Sequence, residues 1–394
     1  MALSTAAKNI VKATAPVVAE NALAITSTFY RTMFENNPEV QQFFNKAHQV
    51  GDRQPRALAD SIIQYALNID DLTPLGPLVE KIAHRHCALS VKPEHYGIVH
   101  SNLMSAIGEV LGDAVTPEIA EGWSEAVLAL AGVCIDAEEN LYKEAEARTG
   151  GWRYEREFEI SDLKEVAEDS LSVGFKPTDG YDGSFEYDAG QYLTLRIPET
   201  DQAPRHYCIT NKPDSGNEIT IAVRREEGGL YSNYVHDKIK VGDKVNLGAP
   251  MGVFRNPADY KGNIAFVAGG IGISPIMSLL DTYGEQVKAG LVVNRTRARS
   301  AFHEDLEQGP ADTKFYFTQE GDGRPDLDKE TDALIAAAGK DANFFVCGPD
   351  HLMDETVKTL KGKGADNVFI NVYGTGTIET NLAADEAQGK CPFH

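Results

Sequence analysis

The chain has 394 residues, 42% of them hydrophobic and 24% charged, with a formal net charge of −22 at pH 7. At roughly 100–200 residues per domain this length predicts two to four domains, and the composition is that of a soluble globular protein. The acidity argues against a nucleic-acid partner, which calls for a basic face, and no run of about 18 apolar residues is present to span a membrane.

The N-terminal stretch MALSTAAKNIVKATAPVVAE carries Lys8 and Lys12 and lacks the apolar centre of a signal peptide, so a cytoplasmic location is expected. Residues 4 to 147 read as helices throughout. VVAENALAITSTFYRTMF spaces its apolar residues helically, and Pro38 opens a short helix in NPEVQQFF. DRQPRALADSIIQYALNI and PEHYGIVHSNLMSAIGEVL follow, and a long last helix begins at Thr116-Pro117. The glycine pair in RTGGW (148–152) ends it.

If residues 77–90 are helical, Val79, Ile82, His86 and Leu89 share one face. His86 then lies in an apolar stripe. His84, beside Glu80, Lys81 and Cys87, is expected to meet water, and it points away from His86, so the two cannot chelate one ion together. On the residues alone, His86 is either a hydrogen-bonded core histidine or the single ligand by which a helix holds haem iron.

From Trp152 the hydrophobic period becomes two. REFEISDL, SLSVGFKP, GQYLTLRIP, RHYCIT, NEITIAVRR and DKVNLGAP predict six strands in a small antiparallel barrel over 152–257. Over 258–376, the apolar strands NIAFVAGG, GLVVN, KFYFTQ, NFFVCG and NVFINVY alternate with helical stretches. That alternation predicts an α/β doubly wound parallel sheet. The tail, 377–394, carries no fold signal. Its Cys391-Pro392 pair is of a kind that sometimes binds regulatory haem, although a plain terminus is the simpler reading. The five cysteines (87, 134, 208, 347, 391) form no CxxC pair, which argues against a disulfide framework or a structural zinc site.

Several stretches in order, FYRTMFENNPEVQQFFN, ALADSIIQYA, VEKIAHRHCALSVKPEHY, GQYLTLRIP, RHYCIT, REEGG and CGP, make the chain resemble the flavohaemoglobins, the bacterial and fungal nitric oxide dioxygenase family. The resemblance covers nearly all but the last residues. It implies an all-α globin haem domain over 1–147, an FAD-binding β-barrel and a ferredoxin-reductase-like NAD(P)H domain. It implies haem b, FAD and NAD(P)H as cofactors. NAD(P)H would reduce FAD, FAD would reduce haem iron, and the oxygen-bound haem would oxidise nitric oxide to nitrate. The expected partners are small molecules (O2, NO, NAD(P)H), with no nucleic acid, and the chain is expected to be a monomer. Two rivals remain: a flavohaem reductase of ferric iron or hydroperoxides, and an oxygen carrier or gas sensor, against which the reductase domains speak.

Carried over by position, the resemblance makes His86 the proximal iron ligand, with Tyr96 and Glu138 behind it, and Tyr30 and Gln54 the distal pair. Leu58 matches the apolar cap, Phe44 the ring on the haem edge, and Arg85 a basic residue near the haem-flavin junction. In RHYCIT, Arg205 would bind the FAD pyrophosphate and Tyr207 stack on the flavin, with His206 beside them. Cys208 stands where the family has serine, and a thiol is a weaker donor. Tyr192 matches another flavin contact, and Gly228, Gly229 and Ser232 lie where backbone amides can approach phosphate. In VAGGIGISPIM, the run Gly270, Ile271, Gly272, Ile273, Ser274, Pro275 is the family's GxGxxP, whose helix would face the NAD(P)H pyrophosphate. One of Arg295, Arg297 and Arg299 would meet the adenosine ribose or a 2′-phosphate, and Cys347 and Gly348 the nicotinamide. The family's closing Glu-Cys-Phe-Gly-Pro near the flavin reads here Asn371, Val372, Tyr373, Gly374, Thr375, so a carboxylate becomes an amide while Tyr373 can still stack.

Overall fold

The structure is a computed structural model that describes residues 3–44, 53–198, 200 and 204–371. The chain folds as two compact units divided between Glu144 and Ala145.

The first unit is helical: α1 (Thr5–Asn36), a 3-10 turn at Pro38–Phe43, α2 (Arg53–Leu67), α3 (Gly76–Ala88), α4 (His95–Leu111) and α5 (Pro117–Ala147). The side chain of Ser4 caps α1 by accepting from the Ala7 N–H. Val18, Ala22, Ile25, Phe29 and Met33 recur every three or four residues along α1 and are all buried. Val18, Ile25, Phe29 and Met33 join Ile62 and Tyr65 of α2, Leu103 and Ile107 of α4 and Trp123 of α5 in one core. Burying each such large side chain contributes about 1.5–3 kcal/mol.

One expectation for this unit is corrected. His84 does not meet water; it is 3% exposed. Small side chains decide the packing of α3. Ala83, Cys87 and Ala88 let that side approach its neighbours closely, and His84 is carried in with them. Glu80, whose charge suggested a wet face, stays exposed, with its Oε1 4.0 Å from His84 Nε2. The stripe of Val79, Ile82, His86 and Leu89 is half-buried instead.

The second unit begins with β1 (Glu155–Ala167), β2 (Ser170–Pro177), β3 (Tyr192–Arg196), β4 (Arg205–Cys208), β5 (Ile219–Arg224), a helix α6 (Leu230–Asp237) and β6 (Lys244–Gly248). The six strands form one sheet in the order β4-β3-β6-β1-β2-β5, antiparallel at every pairing. A bridge between Ile209 and Ile221 joins its two edges, so the sheet closes on itself.

A five-stranded parallel sheet follows, in the order β11-β10-β7-β8-β9. Its strands are β7 (Ile264–Gly269), β8 (Val287–Asn294), β9 (Asp312–Phe317), β10 (Asn343–Cys347) and β11 (Val368–Asn371). The connecting helices are α7 (Ser274–Tyr283), α8 (His303–Glu307), α9 (Leu327–Ala338) and α10 (Asp350–Gly362). β7 is buried on both faces. Ile264, Phe266 and Ala268 pack with Ile276 and Leu280 of α7, while Ala265 and Val267 pack with Leu334 of α9 and Leu360 of α10. The continuous apolar strand signal arises from this double burial. Chain order reverses between β7 and β10, the switch point at whose carboxyl end ligands bind in such sheets.

Candidate functional site

In the helical unit, His86 occupies the last turn of α3. Its Nδ1 lies 2.7 Å from Glu138 Oε1 and 3.0 Å from Tyr96 Oη. Tyr96 donates its hydroxyl proton to the same carboxylate oxygen. With that hydroxyl committed, Nδ1 carries the imidazole proton and donates it, and Nε2 keeps its lone pair. Glu138, on α5, is buried, so its charge acts where hydrogen bonds are electrostatically strong. Burial, then the Cys134 thiol and the Glu138 carboxylate, push the Tyr96 hydroxyl far above its ordinary 10.0. Cys134 lies one turn before Glu138; burial and then that carboxylate push its thiol up to about 11. Tyr96 therefore remains a neutral donor at pH 7.

A second cluster lies in the same unit. The Gln54 side chain hydrogen-bonds the Tyr30 hydroxyl, whose pKa is raised by burial despite that bond. Tyr30 packs edge-on against Phe44, ring centroids 5.9 Å apart. Leu58 follows Gln54 by one helical turn on α2. Arg85 is half-buried beside His86.

These residues fit a haem. Tyr30, Phe44, Leu58, Val79, Ile82, His86 and Leu89 are all left half-buried by the protein. Among the described residues Gln54 Oε1 is buried with no hydrogen-bond partner, as a group facing a bound ligand would be.

In the barrel, β3 and β4 pair Tyr192 with Cys208, Thr194 with His206, and Leu195 with Arg205. Strand alternation puts Arg205 and Tyr207 on one face, His206 and Cys208 on the other. The Arg205 guanidinium lies 5.1 Å from the Tyr231 ring centroid, and burial lowers its pKa. Burial raises that of Tyr207. His206 is exposed; its Nδ1 is 2.9 Å from Thr194 Oγ1, and its ring centroid is 5.1 Å from that of Tyr192. The glycine loop after β5 opens α6, a helix with no signal in the sequence beyond its start. Gly228 takes a left-handed φ of +71°, Gly229 is the N-cap, and the Ser232 hydroxyl accepts from the Glu226 N–H. The exposed amides of that turn suit a phosphate.

At the switch point, β7 runs through Gly270–Ile273 into α7, where the Ser274 hydroxyl donates to Ile271 O and Pro275 sits in the first turn. A Cβ on Gly272 would lie 2.5 Å from Cys347 O, and one on Gly348 2.8 Å from Gly269 N. The two strand ends approach this closely only because they end in glycine, and they leave an amide-lined cradle that suits a pyrophosphate. Two of the three arginines after β8 are tied to carboxylates: Arg297 to Glu307 at 3.3 Å and Arg299 to Asp169 at 2.6 Å. Asn371, at the end of β11, reaches Cys208 of the barrel. Val372, Tyr373, Gly374 and Thr375, like the tail with Cys391, lie outside the described residues. Sequence reasoning missed Cys134, whose i, i+4 spacing to Glu138 was a usable signal, and Tyr231, which had none.

A globin family model matches residues 27–134, and an oxidoreductase FAD-binding domain model matches residues 157–256. A flavohemoprotein of Halalkalibacterium halodurans is 35% identical over 385 residues, covering 91% of this chain and 93% of the relative. One of Pseudomonas putida is 36% identical over 376 residues, 92% of this chain and 95% of the relative. The crystal structure of a flavohemoglobin from Malassezia yamatoensis with bound FAD and heme superposes with a TM-score of 0.81 at 25% identity, covering 94% of this chain and all of that one. The FAD/NAD-binding domain of a nitric oxide dioxygenase from Vibrio cholerae gives a TM-score of 0.50 at 26% identity, covering 56% of this chain and 100% of that one.

Proposed function

The chain belongs to the flavohemoprotein family, and from that premise we propose that it is an NAD(P)H-dependent nitric oxide dioxygenase acting in nitric oxide detoxification. Residues 1–147 hold the haem, 152–257 the FAD and 258–376 the nicotinamide cofactor. When bound, these groups would supply the redox chemistry: hydride acceptance from NAD(P)H, one-electron reduction of haem, and the oxidation of nitric oxide to nitrate with O2.

His86 would hold the iron through Nε2. Glu138 accepts the Nδ1 proton, so a negative charge behind the ring raises the basicity of the ligand. Tyr96 keeps that carboxylate oriented. This three-residue contact is the observation that carries the reading, because simple oxygen storage has no need of an electron-rich ligand. Tyr30 accepts a hydrogen bond from Gln54 and keeps its own hydroxyl proton, which it could donate to a ligand in the haem pocket. Phe44 and Leu58 exclude water there. Arg205 would bind the FAD pyrophosphate with the turn at Gly228, Gly229 and Ser232, and Tyr192 and Tyr207 the flavin ring. The Gly270–Pro275 turn would take the NAD(P)H pyrophosphate, and Cys347 and Gly348 the nicotinamide. Arg85 adds a positive charge beside the iron ligand. The protein is taken to work as a cytoplasmic monomer; among the described residues no helix is long and apolar enough to cross a membrane.

The test is NADH-dependent loss of nitric oxide in air-saturated buffer, after the visible spectrum is recorded. A Soret band with flavin absorbance, fast nitric oxide loss and nitrate formation, all abolished with the Soret band in His86→Ala, is expected. A full cofactor spectrum with negligible nitric oxide loss, but NADH turnover on ferric chelate or peroxide, would overturn the reading.

A further inference from the structure

Cys208 of the barrel and Asn371 at the end of β11 are bonded to each other. Asn371 Nδ2 donates to Cys208 Sγ at 3.2 Å, across 163 residues of sequence. On its other side, the Asn371 carbonyl accepts from the Cys347 thiol at 3.4 Å. Cys347 and Asn371 are also direct register partners in the parallel sheet. Both thiols are buried, Cys208 at 3% and Cys347 at 0% exposure. One side chain and its carbonyl thus join three strands: β4 of the barrel, which carries Arg205 and Tyr207, and β10 and β11 of the sheet, which carry Cys347 and Gly348 at the switch point.

The chemistry of the contact is selective. A thiol sulfur accepts weakly and donates weakly. An amide can use it as an acceptor and remain neutral. A carboxylate in the same half-buried place would find in the thiol a poor donor, and a partly desolvated, under-bonded charge is costly. A charge there would also act on the flavin, since a negative group disfavours the arrival of electrons.

We propose that Asn371 is a positioning residue: as a neutral amide bonded to Cys208, with its carbonyl bonded to Cys347, it clasps the flavin-bearing barrel strand to the nicotinamide-bearing sheet edge without placing a charge beside the flavin. The proposal rests on the reading of Arg205 and Tyr207 as FAD contacts.

The test uses the full-length holoprotein and two readouts independent of turnover: FAD retention on dilution and the flavin midpoint potential. Asn371→Asp is expected to weaken FAD retention by about two- to tenfold, the worth of one hydrogen bond, and to lower the potential. Adding Cys208→Ser supplies a hydroxyl donor to the new carboxylate, so the double variant regains retention while its potential stays low. Asn371→Leu, which loses the amide without gaining charge, is expected to lose retention at unchanged potential. An unshifted potential in Asn371→Asp, or a double variant no better than the single, overturns the proposal. If Asn371→Asp does not fold, Cys208→Ala and Asn371→Leu decide. A shared contact predicts a double variant no worse than either single, and strictly additive losses overturn it. Failure of the underlying reading looks different: Arg205→Ala would then retain its flavin.

Discussion

In the helical unit, side chains from α3, α4 and α5 converge on one another, His86, Tyr96 and Glu138, and the backbone only delivers them. At the switch point of the second unit the reverse holds: the backbone ends of β7 and β10 meet at Gly272, Cys347 and Gly348, and side chains are absent where the contact is tightest. The first arrangement can be tuned one atom at a time. The second is steric and tolerates almost nothing. A site built from convergent side chains should therefore lose chemistry before stability, and one built from glycine contacts should lose stability first.

Gly272→Ala breaks the comparison at its stiffest point. Its new Cβ would lie 2.5 Å from a backbone oxygen, which cannot move aside as a side chain would. A loss of about 2–4 kcal/mol in the second unit is expected. Calorimetry should show that unit melting early while the Soret band of the helical unit persists.

Glu138→Gln tests the other arrangement. The amide oxygen can still accept from His86 Nδ1, but the charge is gone. The Soret band should remain, with nitric oxide turnover down by about 10–100-fold. A loss of haem instead would mean that Glu138 matters for assembly rather than for the electronics of the ligand. Tyr96→Phe removes one donor to the carboxylate and leaves the charge, so a smaller fall, about two- to tenfold, is expected in the same assay.

The smallest effect is one of pH. The His95 Nδ1 accepts from the Lys92 N–H at 3.0 Å, and its ring packs against Phe43 at 4.7 Å. Burial holds its pKa below the ordinary 6.5, with Lys92 adding to that and Glu94 and Glu138 opposing it. The folded state thus prefers neutral His95. Its stability is full above about 6.5 and declines as pH falls from there through the lower folded value, because the unfolded chain takes up the proton first. Thermal melts of His95→Gln should be flatter than wild type between pH 7 and 5.

The periodicities made the architecture legible. Apolar spacing of three and four drew the helices, the two-residue period drew the barrel strands, and the glycines of VAGGIGISPIM marked the turn at the switch point. What stayed hidden depends on packing partners far away in sequence. Charge next to His84 suggested water, yet the small residues Ala83, Cys87 and Ala88 bury that face. The pairing of Glu138 with His86 came from the family resemblance rather than from the residues, for Glu138 sits in a charged helix that reads as a solvated face. The contact between Cys208 and Asn371 had no local signal at all, since neither strand announces what it will meet.

The burial of the thiols bears on the hazards of the reaction. Nitrogen oxides and peroxide attack cysteine chiefly as thiolate. The four described cysteines are buried and none forms a disulfide. With its pKa pushed up to about 11, Cys134 is ionised in only about one molecule in ten thousand at pH 7. The environment that keeps Tyr96 and Glu138 in place beside His86 therefore also makes the neighbouring sulfur a poor target for nitrogen oxides and peroxide.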